Sequence, residues 1–323
     1  MRTISESPRR LRQKDLVATL FILFSEEYDR SGTDSITDIS ILMPDVRDFI
    51  RKKTGIAYSN DAWIITQIHK YEEELGTTLF RRVALDGQPA LGLCREIYTY
   101  EQKRHLYVTQ KIRTANGAFD LMRNSLEGDF PEQSLHILLE AGSTVTRVAE
   151  IIAEHLPELP VSWNIHTNNL GVIECLGRTA PAFSKVILSV PKGRFNPATN
   201  LILGEFPELY GGTELDWIIQ GTSFLSGGQL YVEREDEARL KSRILHECRG
   251  RKVLILTGHE ATAHPDTATE AFGSVKDYDY IIHPALLPES AAARRLKKEL
   301  ACPGNPQLSV MIRNWSYQIL VPS

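Results

Sequence analysis

The sequence predicts a multidomain chain of α and α/β class: a helical front that ends in a hairpin, a long helix, and an α/β half built on a mostly parallel sheet. Three observations predict it. Residues 11–76 carry three amphipathic stretches in succession, residues 94–126 place side chains at alternating steps of four and three, and short β-favouring runs alternate with amphipathic stretches from residue 134 onward. At 323 residues and 42% hydrophobic content, the chain is about two domains long and has ample material for their cores.

Composition excludes several classes. No apolar run approaches the roughly 18 residues of a membrane span. The basic start MRTISESPRRLRQK leads into no secretory h-region, so a cytoplasmic protein is expected. Cys94, Cys175, Cys248 and Cys302 lie far apart with no C-x-x-C pair, which indicates neither a disulfide framework nor a zinc module. No metal or cofactor is expected. The formal charge of -4 is unevenly spread: residues 1–130 hold 19 Lys+Arg and 19 Asp+Glu, and the remainder holds 18 and 22.

The first stretch, LRQKDLVATLFILFSEEY, aligns Leu16, Leu20, Leu23 and Phe24 on one face. The second, PDVRDFIRKKTGI, has Pro44 near its first turn, and the third, SNDAWIITQIHKYEEELG, starts at a Ser59 or Asn60 cap and stops at Gly76. TTLFRRVALDGQPALGL then places β-favouring residues around an Asp86-Gly87 turn. Three helices and a hairpin are the layout of a winged helix-turn-helix, expected over residues 1–92. A helix entering the major groove reads bases near its N-terminus while basic groups contact phosphates. Asn60, Asp61, Ile64 and Gln67 are therefore the candidate base contacts, and Lys70, Arg81 and Arg82 the phosphate contacts. A winged helix used only for protein contacts remains the alternative.

The segment QIHKYEEELGTTLFRR resembles the end of the recognition helix and start of the wing in LysR-type regulators, roughly Q-I-x-x-L-E-x-x-L-G-x-x-L-F-x-R. It matches at Gln67, Ile68, Glu72, Leu75, Gly76, Leu79, Phe80 and Arg82, with Tyr71 replacing the usual Leu. The likeness covers about 16 residues and fades upstream. It implies binding to double-stranded DNA.

From Cys94 to Leu126 the positions Cys94, Tyr98, Glu101, His105, Val108, Ile112, Ala115, Phe119, Met122 and Leu126 follow the spacing of a coiled-coil seam. A linker helix that forms a homodimer is expected over residues 93–130. The alternative is a helix packed on its own domain. NSLEGDFPEQ then reads as a connection to the third segment, residues 131–323.

In that segment SLHILLEA, PVSWNIHT, KVILSV, LDWIIQGTS, KVLILTG and YDYIIHP read as strands of a mostly parallel sheet, with ligands bound at its carboxyl edge. One such edge is Glu-Ala-Gly-Ser-Thr, residues 140–144. The first turn of the helix beginning near Ser143 leaves backbone N–H groups unpaired at the positive end of its dipole, Gly142 permits close approach, and Ser143 and Thr144 add hydroxyls. The arrangement suits an anion. Ordinary capping by Ser143 or Thr144 explains it equally.

LLEAGSTVTRVAEII, HTNNLGVIECL, LILGEF, LDWIIQGTSFLSGGQLY, EARLKSRIL and RKVLILTGHE resemble, in order and rough spacing, the effector-sensing domain of DeoR-type regulators. That domain has a fold like that of ribose-phosphate isomerases and CoA transferases. The resemblance implies a phosphorylated sugar or related anionic effector held by Glu140, Gly142, Ser143 and Thr144, by Asn168, and by Gly221, Thr222 and Ser223, with Lys241 as a partner for its charge. Two departures are plain: Glu140 stands where the family has Asp, and TGHEATAH, residues 257–264, replaces its Asp-x-x-Lys.

His259 and His264 are five apart, which does not make the H-E-x-x-H of a zinc protease. Glu140, Glu233, Glu235 and Lys241 would serve a sugar-phosphate isomerase-like enzyme by residue type, yet no nucleophile elbow, P-loop or dinucleotide glycine signature is present. The expectation is a dimeric, ligand-responsive transcriptional regulator and not an enzyme, with an isomerase-like or nucleotide-processing enzyme as the alternative.

Overall fold

A computed structural model describes residues 10–31, 33, 35–76, 78–94, 100–126, 134–159, 161–179, 185–197, 199–204, 214–261 and 270–323. Two compact units divide the chain at Val108 and Thr109.

In the first unit, α1 (Gln13–Ser31), β1 (Ser40–Leu42), α2 (Met43–Thr54) and α3 (Asp61–Leu75) precede a hairpin of β2 (Phe80–Leu85) and β3 (Gln88–Leu93). The three strands form an antiparallel sheet in the order β1-β3-β2. Pro44 sits in the first turn of α2, where its missing N–H costs nothing, and Asn60 caps α3 by accepting from the Trp63 N–H at 3.3 Å. The hairpin turns at Asp86 and Gly87, both with positive φ, so that Leu85 pairs with Gln88 in the two-residue geometry that matches strand twist. Leu16, Leu20, Phe24, Val46, Ile50 and Ile64 fill the core between these elements.

The helix expected over 94–126 is not continuous. Residues 95–99 lie outside the described residues, and Leu106 and Tyr107 break α4 (Tyr100–His105) from α5 (Val108–Asn124), with Tyr107 at φ +52°. The proposed dimer seam is also corrected. Ala115, Phe119 and Met122 are buried against Leu135, Ile137, Trp163 and other core residues of the second unit, and of the seam positions in α5 Ile112 alone is exposed. A helix whose apolar stripe is already covered has none to offer a partner. Most of the expected connection, residues 127–133, lies outside the described residues.

The second unit continues with β4 (Leu135–Leu139), α6 (Ser143–His155), β5 (Trp163–Thr167), α7 (Leu170–Thr179), β6 (Val186–Ser189), β7 (Gly193–Asn196) and β8 (Leu201–Gly204). Then come β9 (Trp217–Gly221), β10 (Phe224–Ser226), β11 (Gln229–Tyr231), α8 (Glu235–Glu247), β12 (Arg251–Ile255), β13 (Gly273–Ser274), β14 (Tyr280–Pro284), α9 (Ala291–Leu300), β15 (Leu308–Arg313) and β16 (Tyr317–Pro322). All six strands read from the sequence are present, as β4, β5, β6, β9, β12 and β14. They pair in parallel in an eight-stranded sheet of order β15-β16-β14-β12-β9-β4-β5-β6, to which β15 and β16 add antiparallel.

Side chains alternate between two covered faces, as a buried parallel sheet requires. Ile137, Leu139, Ile219 and Ile255 join α5, α6 and α7 in one core. On the opposite face Leu138 and Ile218 meet Leu240 and Ile244 of α8, and Leu254 and Ile281 meet Leu296 of α9. The chain runs outward from β4 through β5 and β6, then returns to β9 and runs outward the other way. The point of reversal therefore lies between the carboxyl ends of β4 and β9, where open α/β sheets form a crevice.

The burial of α5 makes a direct prediction. Phe119→Ala should lower unfolding stability by about 3–5 kcal/mol, as removal of a core aromatic does, whereas Ile112→Asp should change it by less than about 0.5 kcal/mol. Urea unfolding of the two variants checks both.

Candidate functional site

The crevice is built from the ends of three strands. After β5, the Thr167 hydroxyl donates to the Leu139 carbonyl at 2.6 Å and accepts from the Asn169 N–H at 3.1 Å. The Asn169 amide in turn donates to the Glu140 and Gly142 carbonyls at 3.2 and 3.1 Å, and its oxygen accepts from the Gly171 N–H at 3.0 Å. One fully buried asparagine thus fixes the loop that follows β4.

That loop presents the open end of α6. Gly142 is the N-cap residue, at φ +120°, and contributes no capping side chain; a Cβ built there would meet nothing within 4 Å. The capping explanation is therefore not met. The Ser143 hydroxyl instead faces α5, where it receives a hydrogen bond from Lys111 Nζ at 2.9 Å, with Lys111 only 2% exposed. Lys111 Nζ thus lies beside the N-terminus of α6, whose dipole favours negative charge. One turn along α5, Thr114 donates to the Leu256 carbonyl at 2.9 Å, tying the helix to the end of β12.

Beside this lies a buried ion pair. Glu140, fully buried at the end of β4, accepts through Oε2 from Lys241 Nζ of α8, and the same ammonium donates to the Gly221 carbonyl at 3.1 Å. Lys241 also lies 5.5 Å from the centre of the Phe272 ring. Glu140 Oε1 and both polar atoms of the Asn168 amide are buried and have no hydrogen-bond partner among the described residues. Unpaired polar atoms at full burial are costly and call for a polar ligand group.

A third set of groups backs the pair. Tyr278 donates to Gln220 Oε1 at 2.9 Å; burial first, and then the Glu140 charge, push its phenol well above the ordinary range, so it stays a donor. At the end of β12, Glu260 accepts from the N–H groups of Thr257 and Gly258 and from the Thr257 hydroxyl at 2.8–3.0 Å. Burial raises its carboxyl against those donors. On β5, burial and then His136 hold His166 below the usual imidazole value.

Several expected site residues do other work. Thr222 donates to the Phe224 and Tyr231 carbonyls, and Ser223 donates to Glu233, so both shape the β10–β11 hairpin. Thr144 is half-buried in the first turn of α6. In the first unit, Ile64 is fully buried and cannot read a base. Asn60 is engaged as a cap and Asp61 pairs with Arg47. Arg81 donates to the Leu93 and Thr37 carbonyls at 3.1 and 2.7 Å, which makes it a brace of the hairpin. Gln67 is half-exposed, and Lys70 and Arg82 are exposed. Among the described residues no cluster of three metal-ligating side chains occurs, and no helix is long and apolar enough to cross a membrane.

No protein-family model matches the chain, and no curated protein does. Solved structures match at low similarity. A D-ribose-5-phosphate isomerase in complex with phospho-erythronic acid has 13% identity and a TM-score of 0.31, over 66% of this chain and 77% of that one. Ribose 5-phosphate isomerase A from Methanocaldococcus jannaschii has 10% identity and a TM-score of 0.30, over 65% and 77%. The CurJ carbon methyltransferase has 8% identity and a TM-score of 0.26, over 96% and 90%. The mostly parallel sheet expected for the α/β half is met by its own strand order. Against the expectation of a non-enzyme, the structures matched are named as enzymes.

The ion pair predicts its own energetics. Lys241→Met should destabilise the second unit by roughly 3–5 kcal/mol by stranding Glu140, while the double variant Lys241→Met with Glu140→Leu should recover most of that loss. Denaturant titration of the three variants and wild type checks the coupling.

Proposed function

We propose that the second unit binds a phosphorylated sugar in the β4–β9 crevice and catalyses proton transfer on it, as a sugar-phosphate isomerase does. The observation that carries this reading is the pairing of two charge centres at one strand edge: Lys111 with Ser143 at the open end of α6, and Glu140 with Lys241 three residues away in the chain. The first suits a phosphate. The second supplies a carboxylate base and a cation, the combination that aldose–ketose interconversion requires.

In this reading Glu140 takes the proton from the carbon next to the carbonyl, and Lys241 stabilises the oxygen that becomes negative. Return of that proton to the neighbouring carbon, together with passage of the adjacent hydroxyl's proton to the former carbonyl oxygen, completes the isomerisation with no net gain or loss of atoms. Gly142 admits the phosphate to the backbone N–H groups, Asn168 receives a sugar hydroxyl, and the Gly221 carbonyl keeps Lys241 in place.

A second reading concerns the first unit: we propose that it is a winged helix-turn-helix that binds double-stranded DNA. Its support is the three-helix and hairpin order, with Gln67 and Lys70 on α3 and Arg82 on β2 left uncovered. The two readings are compatible, because they use different units. The boundary at residue 92 and a homodimer stay part of this proposal, without the α5 seam.

Incubation with a panel of aldose phosphates in deuterated water, followed by NMR, tests the catalytic reading. Wild type should exchange the C2 hydrogen, Glu140→Gln should lose exchange by about 10²-fold or more, and Lys111→Met should mainly raise KM. Phosphorylated sugars that bind without exchange would overturn it.

Fluorescence anisotropy with duplex DNA tests the other. Lys70→Ala with Arg82→Ala should weaken binding and reduce the slope of log affinity against log salt by about 2, because each lost phosphate contact releases fewer counterions. Arg81→Ala should instead lower stability. Unchanged affinity and slope in the double variant would remove the proposed interface.

A further inference from the structure

A second cavity lies away from the crevice, where α9 and the loop after it pack over β14, β15 and β16. Its volume is about 930 Å³, within the upper part of the range for small-molecule sites. The floor is apolar: Leu286, Leu296, Leu300, Leu308 and Leu320 line it, and Leu296, Leu300 and Leu320 are buried in the core beneath.

The walls are held in place. Asn305 donates to the Glu299 and Leu300 carbonyls at 3.0 and 3.1 Å, which satisfies the last carbonyls of α9 and pins the loop of residues 301–307 to the helix end. Pro303 and Pro306 further restrict that loop. A pre-formed wall spares a ligand the entropy of ordering it.

The charged groups of the cavity share one sign. Arg294, Lys297 and Arg313 line it, and its lining includes no aspartate or glutamate. Among the described residues Lys297 and Arg313 have no carboxylate partner. His283 adds a directional group. Its Nδ1 lies 2.8 Å from the Pro284 carbonyl, which can only accept, so Nδ1 carries the hydrogen and Nε2 of the neutral ring is an acceptor. Burial lowers the pKa of this imidazole, with Arg313 acting in the same direction, and keeps it neutral.

We infer that this cavity is a second ligand site, distinct from the sugar-phosphate crevice, which takes an amphipathic anion: an apolar body on the leucine floor and a carboxylate or similar head between Lys297 and Arg313. The combination decides the class. A purely polar anion would leave five leucines unused, and a neutral apolar ligand would leave the cations unmatched. Because α9, the loops on either side of it and β14–β16 supply every part of it, the site stands or falls independently of Glu140 and Lys111.

Titration of the full chain with 8-anilinonaphthalene-1-sulfonate, read by fluorescence and competed with octanoate, octanol or octyltrimethylammonium, tests the inference. Saturable binding of the probe is expected, and octanoate should compete at about tenfold lower concentration than either octyl compound of other charge, as hydrogen bonds to charged groups allow. Lys297→Glu with Arg313→Glu, both exposed side chains, should abolish that preference without changing the thermal melt. The neutral pair Lys297→Gln with Arg313→Gln should give the same loss should the reversed charges disturb folding. Absence of saturable probe binding, equal competition by all three octyl compounds, or an octanoate preference that persists in the variants would each overturn it.

Discussion

The carboxyl edge of the large sheet is organised by the buried contact between Glu140 and Lys241. Burying two charges together gives little net stability, because desolvation offsets their attraction. What the pair does supply is position. Lys241 reaches from α8 to the end of β4 through Glu140 and to the end of β9 through the Gly221 carbonyl, so one ammonium spans the two strands at which the chain reverses its direction of winding. Gln220 strengthens this junction, donating to the Lys241 carbonyl at 3.3 Å while accepting from Tyr278. On the other side Asn169 grips the backbone on both flanks of Ala141. The crevice is therefore shaped by groups that bind its own backbone, which leaves Glu140 Oε1 and the Asn168 amide directed to other uses.

The position of α5 matters in the same way. Its residues Lys111, Thr114, Ala115, Ala118 and Met122 are buried, a stripe that is cationic and polar at one end and apolar at the other. The apolar end packs on the sheet, and Gly117 permits closeness: a Cβ there would lie 2.8 Å from Ile282 and 2.9 Å from Tyr317. The polar end meets the Ser143 hydroxyl and the Leu256 carbonyl. The same packing that removes α5 from a dimer seam thus delivers a lysine to the N-terminus of α6.

Much of the α/β half was legible because the parallel strands are short, β-rich and separated by amphipathic stretches, and because a glycine followed by hydroxyl residues at a strand end has few uses. Gly142 and Ser143 are legible at one edge on that logic, while Glu140, Asn168 and Lys241 are legible as effector contacts on the DeoR-type resemblance. Lys111 was hidden. The four-and-three spacing drew attention to Ile112, Ala115 and Phe119, and a lysine beside such a stripe ordinarily faces solvent. Asn169 and Thr167 were hidden too, since their partners are backbone carbonyls distant in sequence. In the front half the pattern Q-I-x-x-L-E-x-x-L-G-x-x-L-F-x-R proved largely architectural: Glu72 accepts the N–H groups of Leu79 and Phe80 at 2.7 and 2.9 Å, and Ile68, Leu79 and Phe80 are core. A motif that encodes how a helix joins a hairpin says less about the residues a ligand touches, which explains why Ile64 and Arg81 fell on the wrong side of that division.

The distribution of unsatisfied groups also orients the proposed substrate. An anionic phosphate next to Glu140 would face a carboxylate in a low-dielectric setting, where repulsion between like charges is strongest. At the first turn of α6 it would face the positive end of the helix dipole. Hydroxyl groups behave differently: each is both donor and acceptor, so a sugar hydroxyl can satisfy the buried Glu140 oxygen and the Asn168 amide, each of which otherwise costs about 1–3 kcal/mol of desolvation. In the proposed reading the phosphate would therefore lie at the helix end and the carbonyl-bearing end of the sugar at Glu140 and Lys241. That direction puts the acidic hydrogen beside the base and the developing oxyanion beside the ammonium, which is the arrangement proton transfer needs.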